Sequence, residues 1–134
     1  MTIRYKRPDA KDALSLVQAA KRQMDFTLTM DPSDDSAFTI VRNIYECFRM
    51  IGDALLVKKG IESDDHLAPI NELLKLKVDT LRPIFLIDNL RRLMHNVNYY
   101  GYSPKKAEAD DAISIAKSCF KQLHEAVMKE IEKH

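Results

Sequence analysis

Apolar residues recur along most of the chain every three or four positions, the spacing that places side chains on one face of an α-helix. The first stripe predicts a helix from about Pro8 to Leu28, with Asp9 and Asp12 near the positive end of its dipole. Its members are Ala13, Val17, Ala20, Met24 and Leu28. The basic segment 1–7 is predicted to be a solvated arm, with a phosphate-contacting arm as the alternative.

A second helix is predicted from about Asp34 to Lys59, after a linker that Pro32 interrupts. Ser33 suits its N-cap, and Gly60 can adopt the left-handed conformation that ends a helix. The predicted buried stripe is Ala37, Val41, Ile44, Phe48, Ile51 and Leu55. Further apolar residues widen this face: Phe38, Ile40, Tyr45, Leu56 and Val57. Such a helix is either central in the fold or also at a subunit interface.

The third predicted helix is short, from about Asp64 to Leu76. Ser63 or Asp64 is expected to cap it. Pro69 is tolerated only in a first turn, so this helix is expected to begin late or to be irregular. His66 near its start is expected to be a solvated loop histidine.

Two further helices complete the pattern. One is predicted from about Thr80, as N-cap, to Tyr99, and the other from Ser103 and Pro104 to about Lys133. The stripe of the former is Leu86, Leu90, Leu93 and Val97, flanked by Ile87 and Met94. The stripe of the latter is Ala112, Ala116, Cys119, Leu123, Val127 and Ile131, with Ile115 and Phe120 beside it.

Together these segments predict an all-α fold, an antiparallel up-and-down bundle of four long helices plus one short helix. The bundle forms a single domain over residues 1–134. No segment alternates strictly enough to predict a strand.

Composition narrows the function classes. A net charge of +1 provides no global field for nucleic acid, although a local basic patch is compatible with it. The sequence contains no signal peptide and no apolar run long enough for a membrane span, so a cytoplasmic location is expected. Cys47 and Cys119 are expected to be reduced and buried. No metal or nucleotide motif occurs, and no cofactor is predicted.

The segment 90–103, LRRLMHNVNYYGYS, has the highest density of hydrogen-bonding and titratable groups. Counted from His95, four residues occupy positions that reach the same side of a helix: Arg91, Arg92, Asn98 and Tyr99. Guanidinium groups bind phosphate, an imidazole can act as a base, and tyrosine and asparagine can contact a sugar or a base. Tyr100 and Tyr102 follow. This pattern is typical of an RNA phosphodiester site.

A structural interpretation is equally consistent with this spacing. Arg91 and Arg92 would pair with Asp88 or with acidic residues of the last helix. The three tyrosines would then pack where two helices meet, with their hydroxyl groups bonded to backbone.

Two segments, IYECFRMIGDALLVKKGIESDDH (44–66) and LRRLMHNVNYYGYS (90–103), resemble archaeal and bacterial HEPN-domain proteins. The resemblance implies an all-α up-and-down bundle that forms a homodimer. It also implies a toxin–antitoxin pair with a minimal nucleotidyltransferase. Active members of the family are metal-independent endoribonucleases. Their Arg-x4–6-His motif lies at the end of the helix that corresponds to segment 90–103. Two copies of the motif face each other across the dimer.

This chain departs from the motif. In the alignment set by NVNYYG, Met94 occupies the position of the arginine and Tyr99 that of the histidine. Arg92 and Tyr99 have the family's spacing, but a phenol is a poor general base at neutral pH. Candidate catalytic residues are therefore limited to His95, Arg92 and Tyr99.

Three hypotheses follow from these residues. The first is a HEPN-like dimer that binds RNA or a partner nucleotidyltransferase, with weak or no nuclease activity. The second is an active endoribonuclease toxin in which His95 is a displaced base. The third is a purely structural helical subunit. Binding is assigned to Arg91, Arg92, His95, Asn98, Tyr99, Tyr100 and Tyr102. Whether a partner nucleotidylates a tyrosine is left open.

Overall fold

The structure is a computed structural model that describes residues 3–65 and 67–133. The prediction for His66 lies outside the described residues. The chain is mostly helical, as the periodicity predicts. Its helices are α1 Ala10–Thr27, α2 Ala37–Lys59, α3 Leu67–Leu74, α4 Ile87–Tyr100 and α5 Lys106–Glu132. A 3-10 turn, Ile84–Leu86, leads into α4, and two short strands are β1 Ile3–Tyr5 and β2 Ile61–Ser63.

Helix α2 is the central element of the fold, because it contacts each of the other four helices. Every residue of its predicted stripe is buried, and Ile40, Tyr45 and Leu56 are buried beside that stripe. Phe38 is an exception, since it is exposed and lies against the guanidinium of Arg42. The wide apolar face is therefore explained by contacts within the chain.

Two glycines of α2 fix how neighbouring segments approach it. A Cβ at Gly52 would overlap the backbone carbonyl of Pro69, so α3 packs closely only because this residue is glycine. Gly60 ends the helix with φ 76°, as predicted, and a Cβ there would overlap the carbonyl oxygen of Lys6. At both glycines the backbone of another segment approaches closely. The glycines therefore allow α3 and the N-terminal segment to pack against α2.

The N-terminal arm is not simply solvated, and the prediction that no strand forms is wrong. Ile3–Tyr5 pairs antiparallel with Ile61–Ser63, and the Lys6 N–H donates to the Gly60 carbonyl at 2.6 Å. Ion pairs join Arg4 to Asp64 and Lys6 to Glu62, both at 3.0 Å. Strands of three residues are too short for a pattern of alternation, and pairing satisfies the backbone groups that follow α2.

Two helices begin later than predicted. Ser33 accepts from the Ser36 N–H at 3.0 Å and so caps a turn that precedes α2, which begins at Ala37. Asp65, rather than Ser63 or Asp64, accepts from the first N–H groups of α3. Helix α3 consequently begins late, with Pro69 in its first turn, as the proline requires.

The start of α4 was placed too early by the same pattern. Thr80 does not cap a helix, because its hydroxyl donates to the Arg82 carbonyl at 2.6 Å. The Arg82 side chain bonds Asp111 and Ser114 of α5, and Pro83 has an extended ψ of 135°. These bonds hold residues 80–83 outside the helix, and the 3-10 turn Ile84–Leu86 then leads into α4.

Helix α5 begins at Lys106, so Ser103 and Pro104 are neither its N-cap nor its first residue. Glu108 accepts from the Lys105 N–H at 2.9 Å, and Asp34 accepts from the Lys106 N–H at 2.8 Å. The predicted α5 stripe is buried along its length, and Phe120 meets Phe48 of α2 edge-on at 5.6 Å.

Cys47 and Cys119 are free and buried, as predicted. Burial raises the pKa of the Cys47 thiol to about 12, and it also raises the pKa of Cys119. None of the helices in residues 3–65 and 67–133 combines the length and apolarity that a membrane crossing requires.

Candidate functional site

Helix α4 lies at the edge of the fold with one apolar side against α2. Ile87, Leu90 and Met94 are its buried residues. The predicted stripe is displaced around the helix, because Leu86, Leu93 and Val97 are only partly buried. The polar residues singled out in the sequence therefore remain on the accessible sides of α4.

Asp88 forms ion pairs with both arginines of segment 90–103, Arg91 and Arg92. Its carboxylate accepts from Arg91 Nε at 2.6 Å, and its other oxygen lies 3.1 Å from Arg92 Nε. The hydrogen bond from Arg91 lowers the pKa of Asp88, and the same bond raises the pKa of Arg91. Pairing with Asp88, which the structural interpretation predicted, is what the structure shows.

The two arginines nevertheless differ in accessibility. The Arg91 side chain is 27% exposed, whereas that of Arg92 is 71% exposed. An exposed ion pair contributes little to stability and is readily exchanged for another anion. Arg92 is thus the arginine of this segment that is better placed to meet a phosphate from solvent.

Three rings form an exposed aromatic cluster, which consists of His95, Tyr99 and Tyr100. The His95 and Tyr99 centroids are 4.4 Å apart, with 32° between the ring planes. The His95 and Tyr100 rings meet edge-on at 6.0 Å. Tyr99 is 74% exposed and Tyr100 is 77% exposed, so they do not pack between helices of the chain. The prediction that these two tyrosines pack where two helices meet is therefore wrong.

Tyr102 has a different environment. Helix α4 ends at Gly101, whose φ is 66°, and the Tyr102 hydroxyl donates to Glu108 Oε1 at 2.7 Å. This bond raises the pKa of Tyr102. Its hydroxyl is bonded to a side chain of α5 rather than to backbone, and Tyr102 does not belong to the aromatic cluster.

A groove of about 500 Å³ lies beside the aromatic cluster. One of its walls is α4, which contributes Arg91, Met94, His95, Asn98 and Tyr99. The structure thus brings four of the predicted site residues to one groove. Arg92, Tyr100 and Tyr102 do not line it.

The opposite wall comes from residues that sequence reasoning did not assign to the site. Asp64 and Asp65 connect β2 to α3, Leu67 begins α3, and Tyr45 belongs to α2. The pair of adjacent carboxylates, Asp64 and Asp65, is visible in the sequence. Nothing in the sequence spacing indicates that this pair lies close to α4. Burial raises the pKa of Tyr45 to about 12, so its hydroxyl stays protonated at neutral pH.

A larger concavity of about 990 Å³ lies between α1, α2 and β2. Three of its carboxylates already have structural roles. Asp53 pairs with Arg49, Glu62 pairs with Lys6, and Asp9 caps α1. None of the site residues predicted in segment 90–103 lines this concavity, so the smaller groove is the better candidate site.

The groove offers binding chemistry rather than a complete catalytic set. The stacked rings present flat faces, Asn98 provides an amide, and the aspartates provide acceptors. The thioether of Met94 cannot hold a phosphate where the family motif has arginine. Within the described residues, no group of three His, Cys, Asp or Glu side chains is arranged to hold a metal ion.

The chain matched no family model, no curated protein and no solved structure in the comparisons made. The resemblance to HEPN-domain proteins therefore rests on residues 44–66 and 90–103 as they stand in the sequence.

Proposed function

We propose that this chain is a HEPN-like RNA-binding protein that takes single-stranded RNA on the surface of α4. The observation that carries the proposal is the exposed aromatic cluster, together with the exposed Arg92 on the same helix. Single-stranded RNA is recognised by stacking its bases on such rings, while nearby cations contact its phosphates. Each stacked base is worth about 1–3 kcal/mol, so two or three rings are enough for useful affinity.

The proposal assigns weak or no nuclease activity to the protein. Cleavage in the family depends on an arginine and a histidine, and here those positions hold Met94 and Tyr99. His95 is stacked on Tyr99, and the nearby arginines are engaged by Asp88. The alternative of an active endoribonuclease would require His95 to act alone as the base.

The proposal includes the antiparallel up-and-down bundle and the homodimer that the resemblance implies. Contacts of α2 with α1 and α5 support the bundle arrangement. Leu81 and Phe85 are exposed just before α4, and Leu93 and Val97 are partly buried on it. These side chains support a dimer surface on this side of the molecule. Analytical ultracentrifugation at micromolar concentration should give twice the chain mass of 15.4 kDa, and a mass of one chain would contradict the dimer.

A toxin–antitoxin-type system in the cytoplasm is the setting we propose, with a minimal nucleotidyltransferase as partner. Support for this setting comes from the resemblance. Co-expression with such a protein from the adjacent reading frame should give a complex that survives size-exclusion chromatography. A purely structural subunit would bind neither that partner nor RNA.

Fluorescence anisotropy with a labelled single-stranded 12-nucleotide RNA tests the RNA-binding function. Replacing both Tyr99 and Tyr100 by alanine should weaken binding by about tenfold or more. Phe26→Ala is the matched control, because Phe26 is also an exposed aromatic side chain but belongs to α1. Equal losses in the two proteins, or no binding by the unaltered protein, would contradict the proposal.

A further inference from the structure

Among the described residues that line the groove beside α4, the one guanidinium group is that of Arg91, and Asp88 neutralises it. This balance of charge bears on which part of an RNA can enter the groove. Arg91 and Arg92 are both engaged by Asp88, and Arg4 at the opposite wall is engaged by Asp64. Asp65 adds a further carboxylate. These acidic side chains would repel a phosphate in the groove, whereas a neutral base would not be repelled.

The dimensions and walls of the groove suit a flat, neutral group. A volume of about 500 Å³ falls within the range of small-molecule sites. The rings of His95 and Tyr99 provide a stacking face, and Leu67 and Met94 add apolar surface. One nucleobase can enter from a strand whose phosphates remain outside, near Arg92.

Among the acceptors that line the groove, the carboxylate of Asp65 is held in a defined orientation by backbone hydrogen bonds. Its Oδ1 accepts from the N–H groups of Leu67 at 3.1 Å and Ala68 at 2.9 Å, which fixes the carboxylate at the start of α3. Within the described residues, no donor is placed on Oδ2. Asp64, by contrast, gives both oxygens to Arg4.

We infer that the groove is a guanine subsite in which Asp65 accepts from the base edge; this inference rests on the proposed RNA-binding function. Guanine carries N1–H and N2–H₂ side by side, so Oδ2 of Asp65 alone can accept from both at once through its two lone pairs. Adenine and cytosine place an acceptor beside their amino group, and uracil offers one N–H between two carbonyls. Asp65 therefore favours guanine over the other three bases.

Binding of three heptanucleotides tests the inference on the unaltered protein. Each is a uridine strand with guanine, hypoxanthine or adenine at the central position. Hypoxanthine lacks the 2-amino group, so the guanine strand should bind about tenfold more tightly than either of the others. Equal binding of the three strands would overturn the inference.

Two variants then assign the preference to one carboxylate. Asp65→Asn keeps an oxygen to cap α3 but replaces the second acceptor by a donor, so the three affinities should come within twofold. Asp79→Asn is the matched control, because Asp79 is exposed and does not line the groove, and it should retain the preference. A preference that survives Asp65→Asn would overturn the assignment. Equal binding of all strands that still depends on Tyr99 and Tyr100 leaves the proposed function intact, whereas no binding of any strand defeats both.

Discussion

The imidazole of His95 lies 4.4 Å from the phenol ring of Tyr99, one turn further along α4, and the two planes differ by 32°. Because Tyr99 is 74% exposed, this stacked pair presents aromatic surface to solvent instead of filling the core. In the resembled family the equivalent position holds a catalytic histidine. Here the second ring adds exposed aromatic surface to α4.

Nuclease activity should be absent or weak. Total RNA incubated with the pure protein, without added metal, should show no cleavage above that of an Arg92→Ala, His95→Ala double variant. The reason is that cleavage in the resembled family depends on an arginine and a histidine, and Met94 and Tyr99 occupy those positions in the alignment set by NVNYYG. Metal-free cleavage that is lost in the double variant would identify an active endoribonuclease instead.

Gly52→Ala should destabilise the fold by about 1–3 kcal/mol, because the added methyl group overlaps the Pro69 carbonyl. Urea unfolding measures the loss. Gly101→Ala is the matched control, since its Cβ would meet no atom within 4 Å and its cost is limited to the left-handed backbone, about 1 kcal/mol. A larger loss at Gly101 than at Gly52 would contradict the close approach of α3 to α2.

Asp88→Asn should lower the free energy of unfolding at pH 7 by about 1–2 kcal/mol, because two arginines lose their charged partner. The difference should depend on pH. Folding lowers the pKa of Asp88, so its contribution is present above the usual aspartate value of about 3.9 and is lost as pH falls through the folded value. Urea unfolding of both proteins from pH 7 to pH 3 should show that the difference between their free energies of unfolding becomes smaller as the pH falls. A gap that stays constant over this range would contradict the pairing.

Both thiols should react slowly with a thiol reagent in the native protein and rapidly in urea. Each is buried, and burial raises the pKa of Cys47 to about 12, so very little thiolate is present at neutral pH. The rate of absorbance change with an aromatic disulfide reagent measures this. Fast labelling of native protein at the rate of unfolded protein would contradict the burial of these side chains.

Most of the helical segments could be predicted from the sequence, because burial follows the 3.6-residue period. The stripes of α2 and α5 are buried as predicted, from Ala37 to Leu55 and from Ala112 to Ile131. Their ends were harder to predict, because capping depends on which nearby oxygen reaches a free N–H. Asp65 and Glu108 do so, where Ser63 or Asp64 and Ser103 were expected.

The candidate site could be predicted only from one side. Periodicity placed Arg91, His95, Asn98 and Tyr99 together, and they do line one groove. The other wall depends on β2 and on the late start of α3, which bring Asp64 and Asp65 opposite α4. Contacts between segments so far apart in sequence leave no local pattern.

An NMR titration of the ¹⁵N-labelled protein with a short single-stranded RNA shows directly whether RNA binds on α4. If RNA binds there, the largest amide shift changes should fall on residues 91–100 and on Asp64, Asp65 and Leu67, which form the two walls of the groove and the aromatic cluster beside it. Shift changes confined to the concavity between α1 and α2, or none at saturating RNA, would contradict binding on α4.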